Sequence, residues 1–339
     1  MTISSLPRRL LLGGAAAMPF AAHAQAPGAA GEWRPRRTAD GPHAMPEPGR
    51  RAWAEQVPVI RVGLMGGENE ADRLSRFDGL RRLLEETFRV QVRLMPASDY
   101  AGVMQALSAR QIEFAGLGPS IYAAAWIDTD GAVEPILTSE QTDGSTSYVS
   151  VMLVRADSGI TSLEQMRGRS LAWADPNSAS GYLIPRFELR RAGIGVETGQ
   201  YFGRTGFGGG HEQAVVAMLQ RQFDAAVTWA SGVGDINQGF TRGNTRAMVE
   251  KGMLRMSDVR IIWQSRPIQN GPITMRTDLP AGFREDIIRF YLALPLAHPA
   301  VFEQIARGTG AGFREVRHAD YEVFIEMRRE EAAARRRRS

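Results

Sequence analysis

Strand and helix signals alternate along this chain from Val59 onward, and that alternation restricts its possible folds more than any other feature. Val59-Ile60-Arg61-Val62-Gly63-Leu64 reads as a strand that ends at the glycine turn Gly66-Gly67. Leu74, Phe77, Leu80 and Leu84 then recur at helical spacing and give one apolar stripe. Val90 to Leu94 alternates as a strand, Val103, Met104 and Leu107 mark a short helix, and Phe114 to Leu117 is a brief apolar strand. Pro119 suits the first turn of the helix after it. Such a βαβαβ rhythm predicts a parallel sheet covered by helices.

Tyr148 to Val154 is a longer strand, suited to crossing out of this first unit. A second α/β set follows, with strands at Leu171–Ala174 and Phe223–Val227 and helices after Ser180 and His211. Ile261-Ile262-Trp263 is expected to return the chain to the first unit, which helices near 283–294, 300–306 and 321–334 complete. The expected organisation is two α/β lobes, residues 57–147 with 263–339 and residues 148–262. Two crossover strands join them around a cleft, where folds of this kind bind ligands.

The N-terminus reads as an export signal. Arg8-Arg9 precedes the apolar run Leu10 to Ala21, and Ala22-His23-Ala24 is a small-x-small cleavage site. The arginine pair resembles a twin-arginine signal, although a Sec signal with two arginines would look similar. Residues 1–24 are therefore set apart, with the mature chain expected from about Gln25. No later segment is apolar enough to cross a membrane, so a soluble exported protein is expected. Residues 25–56 carry Pro27, Pro35, Pro42, Pro46 and Pro48 without an apolar period and read as a disordered linker.

Composition closes off several classes. The chain has no cysteine, which excludes disulfides, thiol nucleophiles, cysteine-held metal and a lipid anchor on cysteine. Its net charge of +4 draws on Arg8, Arg9 and the terminal block Arg335 to Arg338. No basic cluster interleaved with aromatics appears in the body, so no nucleic-acid partner is expected. With five histidines and no HExxH, neither a metal centre nor a cofactor is expected.

Candidate binding residues collect at helix starts. After Trp173-Ala174-Asp175 comes Pro176-Asn177-Ser178-Ala179-Ser180-Gly181, where Ser178 or Ser180 can cap a helix. Unpaired N–H groups and the positive end of the helix dipole favour an anion there, and serine hydroxyls add neutral donors. A second such start is Gly208-Gly209-Gly210-His211-Glu212. Tyr100 follows Asp99 at another helix start, and Tyr148 opens the crossover strand. Each of these residues alone has a plain structural role as cap or core.

Together, Asp99-Tyr100-Ala101-Gly102, Ser147-Tyr148-Val149-Ser150, the Asp175 to Gly181 turn and Gly210-His211-Glu212 follow the order and spacing of one family. The chain resembles the phosphonate-binding proteins of ABC transporters, which include phosphite binders, from about Val59 to Leu294. The resemblance implies a type II periplasmic binding protein, acting as a monomer in the periplasm with an ABC permease of the inner membrane. It implies that Tyr100, Tyr148, Ser178, Ala179, Ser180 and His211 surround a small phosphorus oxyanion. Two departures bear on the ligand. Ala179 stands where aminoalkyl-phosphonate binders often have threonine. Ser231 and Gly271 stand near the positions of two carboxylates that hold the ammonium. A buried ammonium without a counter-charge is costly. The expected ligand therefore lacks an amine: phosphite, a short alkylphosphonate, phosphate or another tetrahedral oxyanion.

Two other functions use the same residues. A receptor that reports the oxyanion to a sensor kinase would have the same fold and cleft. An exported phosphatase or esterase would need a nucleophile and base, but the chain lacks a G-x-S-x-G elbow and an evident carboxylate to orient His211. The expected class is a binding protein without catalytic residues. On this reading, removing Ser178 or His211 should weaken binding and leave stability nearly unchanged.

Overall fold

The computed structural model describes residues 44–336. The export signal and the first part of the expected linker lie outside those residues, as do Arg337 and Arg338. The first lobe begins with β1 (Val59–Leu64), α1 (Glu70–Phe88), β2 (Gln91–Pro96), α2 (Tyr100–Ser108), β3 (Phe114–Gly116), α3 (Pro119–Asp128) and β4 (Val133–Glu140). The chain then crosses into β5 (Ser147–Arg155), β6 (Ser170–Trp173), α4 (Ile184–Arg191), β7 (Arg204–Phe207), α5 (His211–Leu219), β8 (Ala225–Ala230), α6 (Asn244–Glu250), β9 (Val259–Gln264) and β10 (Ile268–Gln269). It returns through β11 (Pro272–Arg276), α7 (Ala281–Ala297), α8 (Pro299–Ala306), β12 (Gly312–Glu315) and α9 (Glu322–Arg336). None of the helices among the described residues is long and apolar enough to cross a membrane.

Each lobe is built on a sheet. The first runs β12-β4-β11-β3-β1-β2, and the second runs β10-β5-β8-β6-β7 with β9 also on β5. Strands β2, β1 and β3 are parallel, as the βαβαβ rhythm predicts. The rest of that sheet departs from the expectation, because β11 runs antiparallel to both β3 and β4, and β12 antiparallel to β4, which makes it mixed.

Local chemistry sets the helix ends. Asn69 caps α1 by accepting from the Asp72 N–H, and Arg89 ends it in the left-handed region at φ 53°. The α1 stripe buries Leu80 and Leu84 completely and packs Leu74 and Phe77 partly against the same core. Asp99 caps α2 by accepting from the Gly102 N–H at 2.8 Å, which fixes Tyr100 as its first residue.

Two expected boundaries move. Order begins before Val57: Pro46 is buried, and a 3-10 turn spans Ala52–Glu55. Trp53 in that turn is 5% exposed, edge-on to Phe88 and Phe283, and donates to Asp286 at 2.9 Å. Burying one tryptophan outweighs the local proline content that suggested a linker. Strand β9 does not return to the first lobe, because it pairs with β5 (Leu153 to Ile261, Met152 to Trp263). The return comes at β11, between β3 and β4.

Candidate functional site

Strands β6 and β7 are parallel neighbours, so the loops after both open on one edge of the second sheet. Hydrogen bonds from Gly208 N to Trp173 O (2.8 Å) and from Gly209 N to Ala174 O (3.1 Å) carry the pairing past the strand ends. They hold the Gly208–His211 loop against the Asp175–Gly181 turn. Asp175 shapes that turn by accepting from the Asn177 N–H through Oδ1 (2.6 Å) and from the Ser178 N–H through its carbonyl (3.0 Å). A π-helical turn, Ala179–Leu183, leads from it into α4.

Ser178 is the cap: its Oγ accepts from the Gly181 N–H at 2.9 Å. The same oxygen lies 3.0 Å from His211 Nε2. Gly181 is required by this packing, since a Cβ there would meet Ala174 at 2.5 Å and Ser178 Oγ at 2.8 Å. The close approach that glycine permits here is thus made by the protein's own side chains.

His211 opens α5, with Nδ1 facing Thr228 Oγ1 at 3.4 Å. Burial pushes the imidazole down to about 3, and the charge on Arg307 adds to the effect. The ring is neutral near pH 7, and in either tautomer the Ser178–His211 pair carries no charge. A base this weak, facing a hydroxyl rather than a carboxylate, does not suit Ser178 activation.

Tyr100 and Tyr148 are both buried. Burial pushes both phenols well above their usual range; the charge on Asp175 adds to the shift at Tyr100, and a bond with Ser180 offsets part of it at Tyr148. Both therefore stay protonated and able to donate. All six residues expected from the sequence line one cavity of about 290 Å³ between the lobes. As at any helix start, the Ala179 and Ser180 N–H groups precede the first intrahelical bond.

The cavity also contains charged residues that the sequence reading missed. Glu68 pairs with Arg76 and Arg307. Burial pushes the Glu68 carboxyl up, but its bonds to Arg76 and the two positive charges outweigh that and hold it at about 2. Arg73 donates to the backbone carbonyls of Met65 and Ala97. Arg242 donates to Ser139 Oγ at 3.0 Å. Arg73 and Arg76 lie one turn apart on α1, but Arg242 and Arg307 join them only through tertiary folding, so no local motif marks the set. The two positions expected near an amine site differ in kind. Ser231 is buried with its hydroxyl against Thr241 at 2.9 Å. Gly271 has no room for a side chain, since a Cβ would lie 1.9 Å from Leu117 O.

The family model described as ABC transporter, phosphonate, periplasmic substrate-binding protein matches residues 62–321. The phosphate-import protein PhnD of Mycolicibacterium smegmatis is 27% identical over 219 residues, which span 62% of this chain and 64% of that relative. The phosphonates-binding periplasmic protein of Escherichia coli is 24% identical over 243 residues, 70% of this chain and 67% of that protein. Among solved structures, a binding component of an ABC phosphonate transporter from Pseudomonas aeruginosa has a TM-score of 0.68 at 21% identity, covering 80% of this chain and 85% of that one. A Prochlorococcus marinus protein solved in complex with methylphosphonate also scores 0.68, at 18% identity, with coverage of 81% and 98%. At such identities the structural likeness establishes the two-lobed fold.

Proposed function

The chain belongs to the periplasmic substrate-binding proteins of phosphonate ABC transporters, a family of binding components rather than enzymes, and from that premise we propose that it captures a phosphorus oxyanion without an amine. Phosphite, a short alkylphosphonate and phosphate are the ligands in view. The chain would be exported through its Arg8-Arg9 signal, act as a monomer in the periplasm and deliver its ligand to an ABC permease.

One observation carries this reading. The Ser178–Ser180 turn and two protonated phenols line the same buried cavity and can offer hydrogen bonds, with neutral His211 behind the Ser178 hydroxyl. Donors held in place by the fold need little reorganisation when an anion arrives, and a helix start adds its dipole. Acidic groups that would hold an ammonium are missing at both expected positions, Ser231 and Gly271.

Calorimetry and thermal shift with phosphite, methylphosphonate, phosphate, sulfate and 2-aminoethylphosphonate test the proposal. A ligand at 100 times its Kd should stabilise the protein by about 2.7 kcal/mol. Phosphite or methylphosphonate is expected to give that response. Far tighter binding of 2-aminoethylphosphonate than of methylphosphonate would overturn the amine-free assignment, and a response to sulfate alone would overturn the phosphorus preference.

A further inference from the structure

Arg242 is 7% exposed, lines the cavity and forms no ion pair with any described carboxylate. Its Nη1 donates to the neutral Ser139 Oγ, and its Nε is buried without a partner. Burial alone pulls the guanidinium down to about 10, so it remains charged near pH 7. A buried charge left unpaired is costly, and removing the side chain would be the simpler way to build a stable core. The local backbone does not require it. Arg242 accepts from the Ser231 N–H through its carbonyl and bridges to Gly308 through its main chain, which many residues could do.

Two further observations point to an occupant. Of the charged residues lining the cavity, four are arginines (Arg73, Arg76, Arg242, Arg307) and one is an acid, Glu68. Glu68 pairs with Arg76 and Arg307, and Glu70 lies 3.9 Å from Arg73, so among the described residues Arg242 alone of the four has no carboxylate partner. The cavity's 290 Å³ also matches about ten times water's share of liquid volume, roughly 30 Å³, and is more than a lone tetrahedral oxyanion fills. Through the Ser231 contact, Arg242 adjoins the place where the resemblance expected an acidic residue.

We propose that the ligand carries a second anionic group, a carboxylate on a short phosphonate, and that Arg242 binds it while the Ser178–Ser180 turn holds the phosphoryl end. This rests on the phosphonate reading and narrows it to a phosphonocarboxylate. A planar guanidinium matches a carboxylate in a two-point contact, which makes Arg242 the residue that sets specificity.

The test compares ethylphosphonate, 2-aminoethylphosphonate and 3-phosphonopropionate, which share a two-carbon arm and differ in the charge at its end. Calorimetry on the wild-type protein should rank 3-phosphonopropionate at least about tenfold tighter than ethylphosphonate, the scale of one charge-assisted hydrogen bond, with the amine weakest. In Arg242→Gln the preference for 3-phosphonopropionate over ethylphosphonate should disappear, with 3-phosphonopropionate losing the more affinity. Arg242→Lys should retain part of the preference. Equal wild-type affinities for ethylphosphonate and 3-phosphonopropionate would overturn the proposal and leave the phosphonate reading standing. So would an Arg242→Gln variant that loses ethylphosphonate as strongly as 3-phosphonopropionate. The wild-type ranking needs no variant, so the test survives if a substitution fails to fold. Failure of every phosphonate to bind would instead remove the underlying reading, and this proposal with it.

Discussion

The Ser178 hydroxyl meets two demands at once, as cap to Gly181 and as neighbour to His211 Nε2. Ser178→Ala should therefore cost stability as well as affinity. Losing a cap costs about 1 kcal/mol, and leaving the buried imidazole nitrogen without its partner costs about 1–3 kcal/mol more. Urea denaturation of the ligand-free variant measures this, and it replaces the expectation from sequence that stability would barely change. His211 predicts a pH dependence. Its folded pKa, about 3, lies below the ordinary histidine value of 6.5. As pH falls between those values the unfolded chain takes up a proton that the folded chain refuses. Stability should fall with pH across that window, at up to about 1.4 kcal/mol per unit. His211→Gln should flatten that stretch of a stability–pH profile, and an unchanged slope would show that other groups cause it. The sequence revealed these residues because each occupies a helix start with a recognisable neighbour. It did not reveal Arg242, whose meaning depends on Ser139 being 103 residues away in the chain and 3.0 Å away in space.

Elements repeat that contrast. Strands and helices were readable from apolar spacing, since a buried face leaves the same trace wherever it packs. Partners were not readable: β9 carries as plain a strand pattern as β1, yet nothing local says that it joins β5. The antiparallel entry of β11 between β3 and β4 was hidden for the same reason. That entry explains Gly271, the residue before β11. Its backbone passes so close to Leu117 O that any Cβ would collide with it. The lack of a carboxylate there is thus imposed by how this strand enters the sheet. Gly271→Ala should destabilise the protein by about 1–3 kcal/mol through overpacking, which chemical denaturation would detect. Gly271→Asp should not create an amine site. A gain of 2-aminoethylphosphonate binding in that variant, without loss of stability, would show that the strand can shift and that the packing argument is wrong.

At the scale of the molecule, contacts that span the cleft describe a closed arrangement. Asn177 O, in the turn of the second lobe, accepts from Ser120 Oγ of α3 at 2.5 Å and from Arg328 of α9 at 2.9 Å. Lys251, the chain's only lysine, reaches Asp72 of α1 at 2.8 Å and Glu212 of α5 at 2.9 Å. Thr309 N donates to Thr241 O at 3.1 Å. Two glycine backbones also meet across the cleft. A Cβ on Gly210 would sit 2.6 Å from both Cα and O of Gly67. It would also meet Gln213 Oε1 at 2.4 Å, but that amide ends a flexible side chain and can swing aside. The Gly67 backbone can yield only if the lobes part. Gly210 lies at φ 166°, extended backbone that alanine adopts without strain, so the cost falls on closure rather than on the lobe itself. Gly210→Ala should thus keep its ligand-free stability within about 0.5 kcal/mol. Ligand affinity should fall at least about tenfold, a loss of about 1.4 kcal/mol in the closed state. Small-angle scattering should show that saturating ligand contracts the wild-type protein further than the variant. Undiminished affinity with full contraction would mean that the lobes close without bringing Gly67 and Gly210 together.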